Sequence, residues 1–294
     1  MAIDKEKLLA LQIPTCTQSY RWRDTVLYAL GAGYAIDPMD ERQLRFVDES
    51  RLCAVPTMAN VLAHPGFWMR DLDTGIDWVR VVHGEQQMRI HHPLPAEGEV
   101  IGHTRVVDVV DKGAAKGALV VSERRIVDAR DGRLYATLRQ TTMCRGDGGF
   151  SGASIHAPLA VPVPAPAALP EREPDIGMTL PTQPNQALIY RLSGDLNPLH
   201  ASPEVARRAG FDRPIFHGLG TFGVVGHALM AGLCDYWPER VRAMEARFSA
   251  PVFPGDRVCV DIWHATRPGE ALFRARVDAR NSVVLSNGVF GYEP

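Results

Sequence analysis

The 294 residues contain no run of about 18 apolar side chains, so no stretch is long enough to cross a bilayer. A charge excess is missing too: 32 Lys and Arg stand against 34 Asp and Glu, for a formal charge of -2. The basic residues are scattered, which argues against a nucleic acid or a membrane surface as partner. The opening MAIDKEKLLALQIP mixes acids with its lysines around a short apolar run, unlike a signal peptide. Five cysteines, at 16, 53, 144, 234 and 259, form no CxxC pair and have no histidine at metal spacing. Neither a disulfide framework nor a zinc site is therefore encoded, and a reducing compartment, the cytoplasm, is expected. A glycine-rich phosphate loop and a serine nucleophile elbow are also absent, which leaves no motif for a nucleotide cofactor or a serine hydrolase.

What is present suits two globular units. The length and the 46% hydrophobic content can bury a sizeable core. Residues 17–32 place Val26, Leu27 and Leu30 at helical spacing before Gly31-Ala32-Gly33, which predicts a helix followed by a turn. Met58 to Leu72 is apolar but interrupted at Pro65-Gly66, so only part of it is expected to be helical. From Trp78 four extended runs follow, separated by PLPAEGE, KGAAKG and DGR turns: antiparallel texture. Residues 151–185 hold prolines at 158, 162, 164, 166, 170, 174, 181 and 184, and predict an extended connection between units 1–150 and 186–294. In the second unit GLGTFGVVGHALMAGL (218–233) reads as a buried helix, with four further extended runs after it. The halves echo one another. VDAR occurs at 127–130 and 277–280, and HPLPAEGEV (92–100) parallels APVFPGDRV (250–258), so a duplicated helix-plus-sheet unit is expected.

The densest chemistry lies in YRLSGDLNPLHASPEVARRAGFDRPIFHGLG, residues 190–220. Gly194 permits a positive φ and Pro198 keeps Asn197 out of the α region, so the step from Asp195 to His200 crosses a tight turn. Ser202-Pro203-Glu204 then reads as the start of a short helix that Gly210 stops. A carboxylate and an imidazole can thus point into one space, where desolvation by Tyr190, Leu192 and Leu199 would suit the histidine to general base work near neutral pH. A turn aspartate beside a surface histidine would look similar over five residues alone. His217-Gly218 precedes the apolar helix, whose unpaired N–H groups and bare glycine could receive a developing oxyanion. His83 is read as a structural residue of a strand, and His91, His92 and His103 as surface or turn residues.

Tyr190 to His200, with Ala206, resembles the signature of the MaoC-like, or hydratase 2, family of (R)-specific enoyl-CoA hydratases. LYALGAGY at 27–34, HGEQ at 83–86, DKG at 111–113 and FDRPIFHGLGTFG at 211–223 extend the resemblance to the two-module members and over essentially the whole chain. It implies an α+β double hot-dog, with two antiparallel sheets each wrapped round a central helix and joined into one sheet. It also implies syn hydration of a trans-2-enoyl-CoA to a (3R)-hydroxyacyl-CoA with no metal or redox cofactor. Asp195 and His200 would hold the water, the Gly218 N–H would meet the thioester oxygen, and Asn197, Tyr190 and His217 would support the pair. An acyl-CoA would be the partner molecule and a homodimer the assembly. A hot-dog thioesterase and a non-catalytic acyl-CoA-binding module are the rivals. The N-terminal half is expected to be a degenerate copy that accommodates the acyl chain. Its Gly33-Tyr-Ala-Ile-Asp-Pro-Met-Asp40 matches Gly194 to His200 with one extra residue, placing Asp40 at the position of His200, Tyr34 or Ala35 at that of Asp195, and Val55-Pro56-Thr57-Met58 near that of Phe216-His217-Gly218.

Overall fold

A computed structural model describes residues 3–151 and 169–294. Each extended run of the sequence becomes a strand of a single ten-stranded antiparallel sheet. In chain order these are β1 (Cys16–Tyr20), β2 (Val81–Ile90), β3 (Gly98–Asp111), β4 (Ala118–Asp128), β5 (Leu134–Cys144), β6 (Ile176–Pro181), β7 (Val241–Phe248), β8 (Arg257–His264), β9 (Glu270–Val277) and β10 (Ser282–Tyr292). Their order in space, β1-β3-β4-β5-β2-β7-β10-β9-β8-β6, repeats about the β2/β7 seam, where Met88 faces Met244. Each half contributes five strands in the same sequence of pairings, as a duplicated unit must. The fold is the double hot-dog, with its two sheets fused into one.

Two strands depart from the sequence reading. Residues 16–20 form edge strand β1 before the helix α2 (Trp22–Gly31), so the expected 17–32 helix starts five residues late. CTQSY alternates half-buried and exposed positions up to the buried Tyr20, a period of two that helical spacing of the residues beyond it masks. Similarly, β6 lies inside the 151–185 stretch read as a connection and pairs along β8 from Ile176↔Ile262 to Pro181↔Arg257. Its proline stands at the strand end, on an edge, where a missing N–H is tolerated. The prolines at 158, 162, 164 and 166 lie outside the described residues.

The central helix of the C-terminal half, here α7 (Gly218–Cys234), is buried along almost its whole length. Phe222, Val225, Leu229 and Met230 sit in the same core as Val258, Val260, Ile262, Phe273 and Phe290 of the sheet. Burial of each such side chain contributes about 1.5–3 kcal/mol. Glycine at 226 lets the helix approach the other half: a Cβ there would stand 2.8 Å from Thr57 Cγ2. In the N-terminal half the corresponding helix is cut short. Pro56–Asn60 makes one 3-10 turn, Ala63 takes a left-handed φ of 43°, Gly66 one of 74°, and only α4 (Trp68–Asp71) resumes helical form. The left-handed residues at 63 and 66 leave no room for four regular turns, so short turns cover the concave face of this half and a small cavity remains beneath them.

Candidate active site

Helix α5 (Gln186–Tyr190) runs into a 3-10 turn over Arg191–Ser193, and Gly194 ends it at φ 125°. Asn197 follows with ψ 123°, as the residue before a proline prefers, and its side chain accepts a hydrogen bond from Leu199 N at 3.0 Å. Pro198–His200 is a second 3-10 turn, and Ser202 caps α6 (Pro203–Arg208) through Val205 N. The bend thus holds Asp195 and His200 on one side, with His200 Nε2 4.0 Å from Asp195 Oδ2.

That gap is wide enough for one water. His200 Nδ1 lies 2.9 Å from the carbonyl oxygen of Ile215, which can only accept, so the proton sits on Nδ1 and the Nε2 lone pair faces the carboxylate. A direct bond would need about 2.8 Å, but a water placed that far from both atoms fits between them. Burial lowers the His200 pKa below the ordinary histidine range, so the ring is neutral at pH 7. Asp195 keeps its side chain 53% exposed, and Asn197 N donates to its Oδ1 at 3.1 Å. The backbone of Asn197, more than its amide, holds the carboxylate.

His217 packs its ring on His200, with centroids 3.7 Å apart, and its Nε2 donates to the Asp195 carbonyl at 3.1 Å. Burial, and after it the neighbouring His200, pulls its pKa down to about 4. Neutral and bonded to the turn, His217 fixes the bend and the plane of the His200 ring. Tyr190 lies behind it, ring centroids 5.0 Å apart, with its hydroxyl buried and without a partner among the described residues. Asp195, His200 and His217 also bring three donor atoms within 4.8 Å of one another, so the trio could hold a cation. Two of its imidazole nitrogens are already committed to backbone carbonyls.

Gly218 is the first residue of α7, and His217 gives the helix end no side-chain cap. The first N–H groups of a 17-residue helix therefore face the bend with the positive end of its dipole. Phe248 stands 3.4 Å from where a Gly218 Cβ would be, and His83 packs edge-on against Phe248 at 4.6 Å. His83 is thus a wall of the same crevice, close enough to feel the charge of Asp195. Only strand pairing across the two halves brings it there.

The duplicated copy lacks this equipment. Asp37 Oδ1 accepts from Met39 N just as Asn197 Oδ1 accepts from Leu199 N, so Asp37-Pro38 superposes in role on Asn197-Pro198. Asp40, however, caps α3 (Glu41–Leu44) and pairs with Arg42, which is the part Ser202 plays for α6. It does not stand for His200, as the residue match predicts: the step from proline to cap is two residues shorter, and the histidine has no counterpart. Where Gly218 opens α7, Pro56 opens the 3-10 turn, and a proline has no N–H to offer.

Sequence comparison identifies the class. Residues 166–285 match the MaoC like domain, and residues 18–146 the MFE-2 hydratase 2 N-terminal domain. The chain is 40% identical to the 3-hydroxyacyl-thioester dehydratase Y of Mycobacterium tuberculosis, over 99% of both chains. It is 34% identical to the peroxisomal enoyl-CoA hydratase 2 of Arabidopsis thaliana, over 97% of this chain and 94% of that one. A MaoC-like dehydratase from Phytophthora capsici shares the fold with a TM-score of 0.85 at 32% identity, over 98% of both chains. The chain belongs to the MaoC-like, two-module hydratase 2 family, whose named members are hydro-lyases.

Proposed function

We propose that the chain catalyses the reversible syn hydration of trans-2-enoyl-CoA to (3R)-hydroxyacyl-CoA in its C-terminal half. One observation carries this: a neutral His200 Nε2 whose lone pair faces Asp195 across a gap of one water. The water's oxygen adds to C3 while its proton passes to Nε2, and Asp195 holds the second O–H. Electron density moves through C2 to the thioester oxygen, which the Gly218 N–H at the helix end stabilises. The proton held by His200 then returns to C2 on the same face, with Asp195 sharing the delivery, and the enolate collapses to the hydroxyacyl thioester. Asn197 and His217 position the pair, and Tyr190 packs behind His217. No step calls for a metal or a redox cofactor.

The N-terminal half, without base or N–H donor, is assigned to the acyl chain. A cavity of about 120 Å³ between Tyr20, Tyr28, Met58, Leu62, Leu192 and Gly194 supports that assignment, since it links the shortened helix to the catalytic bend. Residues 1–150 and 186–294 are accordingly read as acyl-accommodating and catalytic units. Among the described residues no helix is long and apolar enough to cross a membrane. The cytoplasm and a homodimer complete the proposal, and the relative named peroxisomal marks another compartment to test.

Incubation with a trans-2-enoyl-CoA and a thiol reagent separates the hydratase from its rivals. Loss of the enoyl absorbance without thiol release is expected. Release of free CoA would instead identify a thioesterase, and binding with neither change a non-catalytic module.

A further inference from the structure

In the C-terminal half the concave face of the sheet is apolar, because α7 covers it. Where the N-terminal half lacks the matching helix, β2 to β5 present Gln86, Thr104, Ser122, Arg124 and Gln140 to a cavity of about 30 Å³, which Asn60 and His64 help to close. An alkyl chain has no use for such a lining. We propose that this cavity is a recognition subsite for an oxygen-bearing far end of the acyl chain, a carboxylate above all, with Arg124 as its principal donor. The proposal rests on the enoyl-thioester activity above and names the class of acyl group that the site selects.

Arg124 carries the inference. It is 8% exposed, and no carboxylate lies within 4.0 Å of it among the described residues. One of its nitrogens donates to the Asn60 carbonyl at 2.6 Å, while its Nε has no partner. Burial lowers its pKa to about 10, which still leaves it cationic at neutral pH. A guanidinium without a counter-ion in such a place is costly, and a ligand carboxylate would offset that cost with charge-assisted bonds. Holding the last carbonyl of the Pro56–Asn60 turn would occupy one N–H of five, so a purely structural role leaves the Nε unexplained. Thr104 Oγ1 is a second buried polar atom without a partner at the same cavity. The space holds one or two waters, or a small polar group in their place. It also borders the proposed chemistry: Leu219, next to Gly218, lines it, and His64 feels the charge of Asp195.

The test uses matched series of trans-2-enoyl-CoA thioesters, equal in length and ending in a methyl, a hydroxymethyl or a carboxylate. At the length that spans the two sites, kcat/KM of the natural protein should favour the carboxylate end over the methyl end by about tenfold or more, with the hydroxymethyl between them. Arg124→Met should abolish that ratio, and Arg124→Lys should keep part of it. Gln140→Leu should also reduce it, which keeps the question answerable if the arginine variants fold poorly. A ratio near one at every length overturns the proposal, and so does a ratio that Arg124→Met leaves intact. Four-carbon crotonyl-CoA serves as the reference. Turnover of crotonyl-CoA with no end-group preference sinks the subsite alone, whereas no turnover of any enoyl-CoA sinks the hydratase assignment beneath it.

Discussion

His200→Ala should lower kcat for enoyl-CoA hydration by about 10²–10⁴-fold, the usual contribution of a positioned general base. Asp195→Asn should cost a similar factor, because the amide can no longer accept both the water's O–H and the Asn197 N–H as a carboxylate does. The double variant should be little worse than either single one, since a water held by two groups is lost when one is lost. The alanine change has a structural side effect. It strips the half-buried Ile215 carbonyl of its partner, at about 1 kcal/mol of stability. His200→Asn separates the effects: its amide N–H can replace the Nδ1 donor, while no base remains at Nε2. Stopped-flow turnover beside a thermal melt reads both. A His200→Asn protein with wild-type stability and near-normal kcat would remove the histidine from the chemistry.

Gly218→Pro should lower kcat by about 10²–10³-fold while leaving the fold intact. Proline is favoured at the first position of a helix, where its missing N–H has no intrahelical partner to lose. The preceding His217 already has φ -59° and ψ 139°, a conformation that a following proline requires. Pro56 occupies the equivalent place in the other half, so the fold itself tolerates it there. Gly218→Ala is the control, because it retains the N–H and its Cβ would meet Phe248 at an ordinary 3.4 Å. A large loss for proline with a small one for alanine assigns the N–H to the thioester oxygen. Equal losses would mean that substrate bulk, and not the donor, is what position 218 controls.

The bend from Gly194 to Ser202 was legible because short-range chemistry builds it. Gly194, Pro198 and the Ser202-Pro203 cap each restrict their own backbone, so residue order alone implies that Asp195 and His200 converge. The strands of both halves were legible for the same reason, through alternation and turn residues. Edge strands β1 and β6 were not, since each is short, pairs on one side only and lies beside a stronger local pattern. His83 and Arg124 stayed hidden for a different reason. A histidine in HGEQ and an arginine in SERRIVD look like ordinary strand residues until long-range pairing sets one against Phe248 and buries the other beneath the Pro56–Asn60 turn. The Asp40 mismatch is similar: proline and cap recur in both copies, and only hydrogen bonds reveal which residue of the bend was lost.

The central claim is that one water, held by one acid-base pair, adds across one face of the enoyl thioester. Hydration of crotonyl-CoA in D₂O, followed by NMR of the product, tests it most directly. A single 3R diastereomer carrying deuterium at C2 on the same face as the new C3–O bond is the predicted result, and a mixture at C2 or a 3S product would contradict the account.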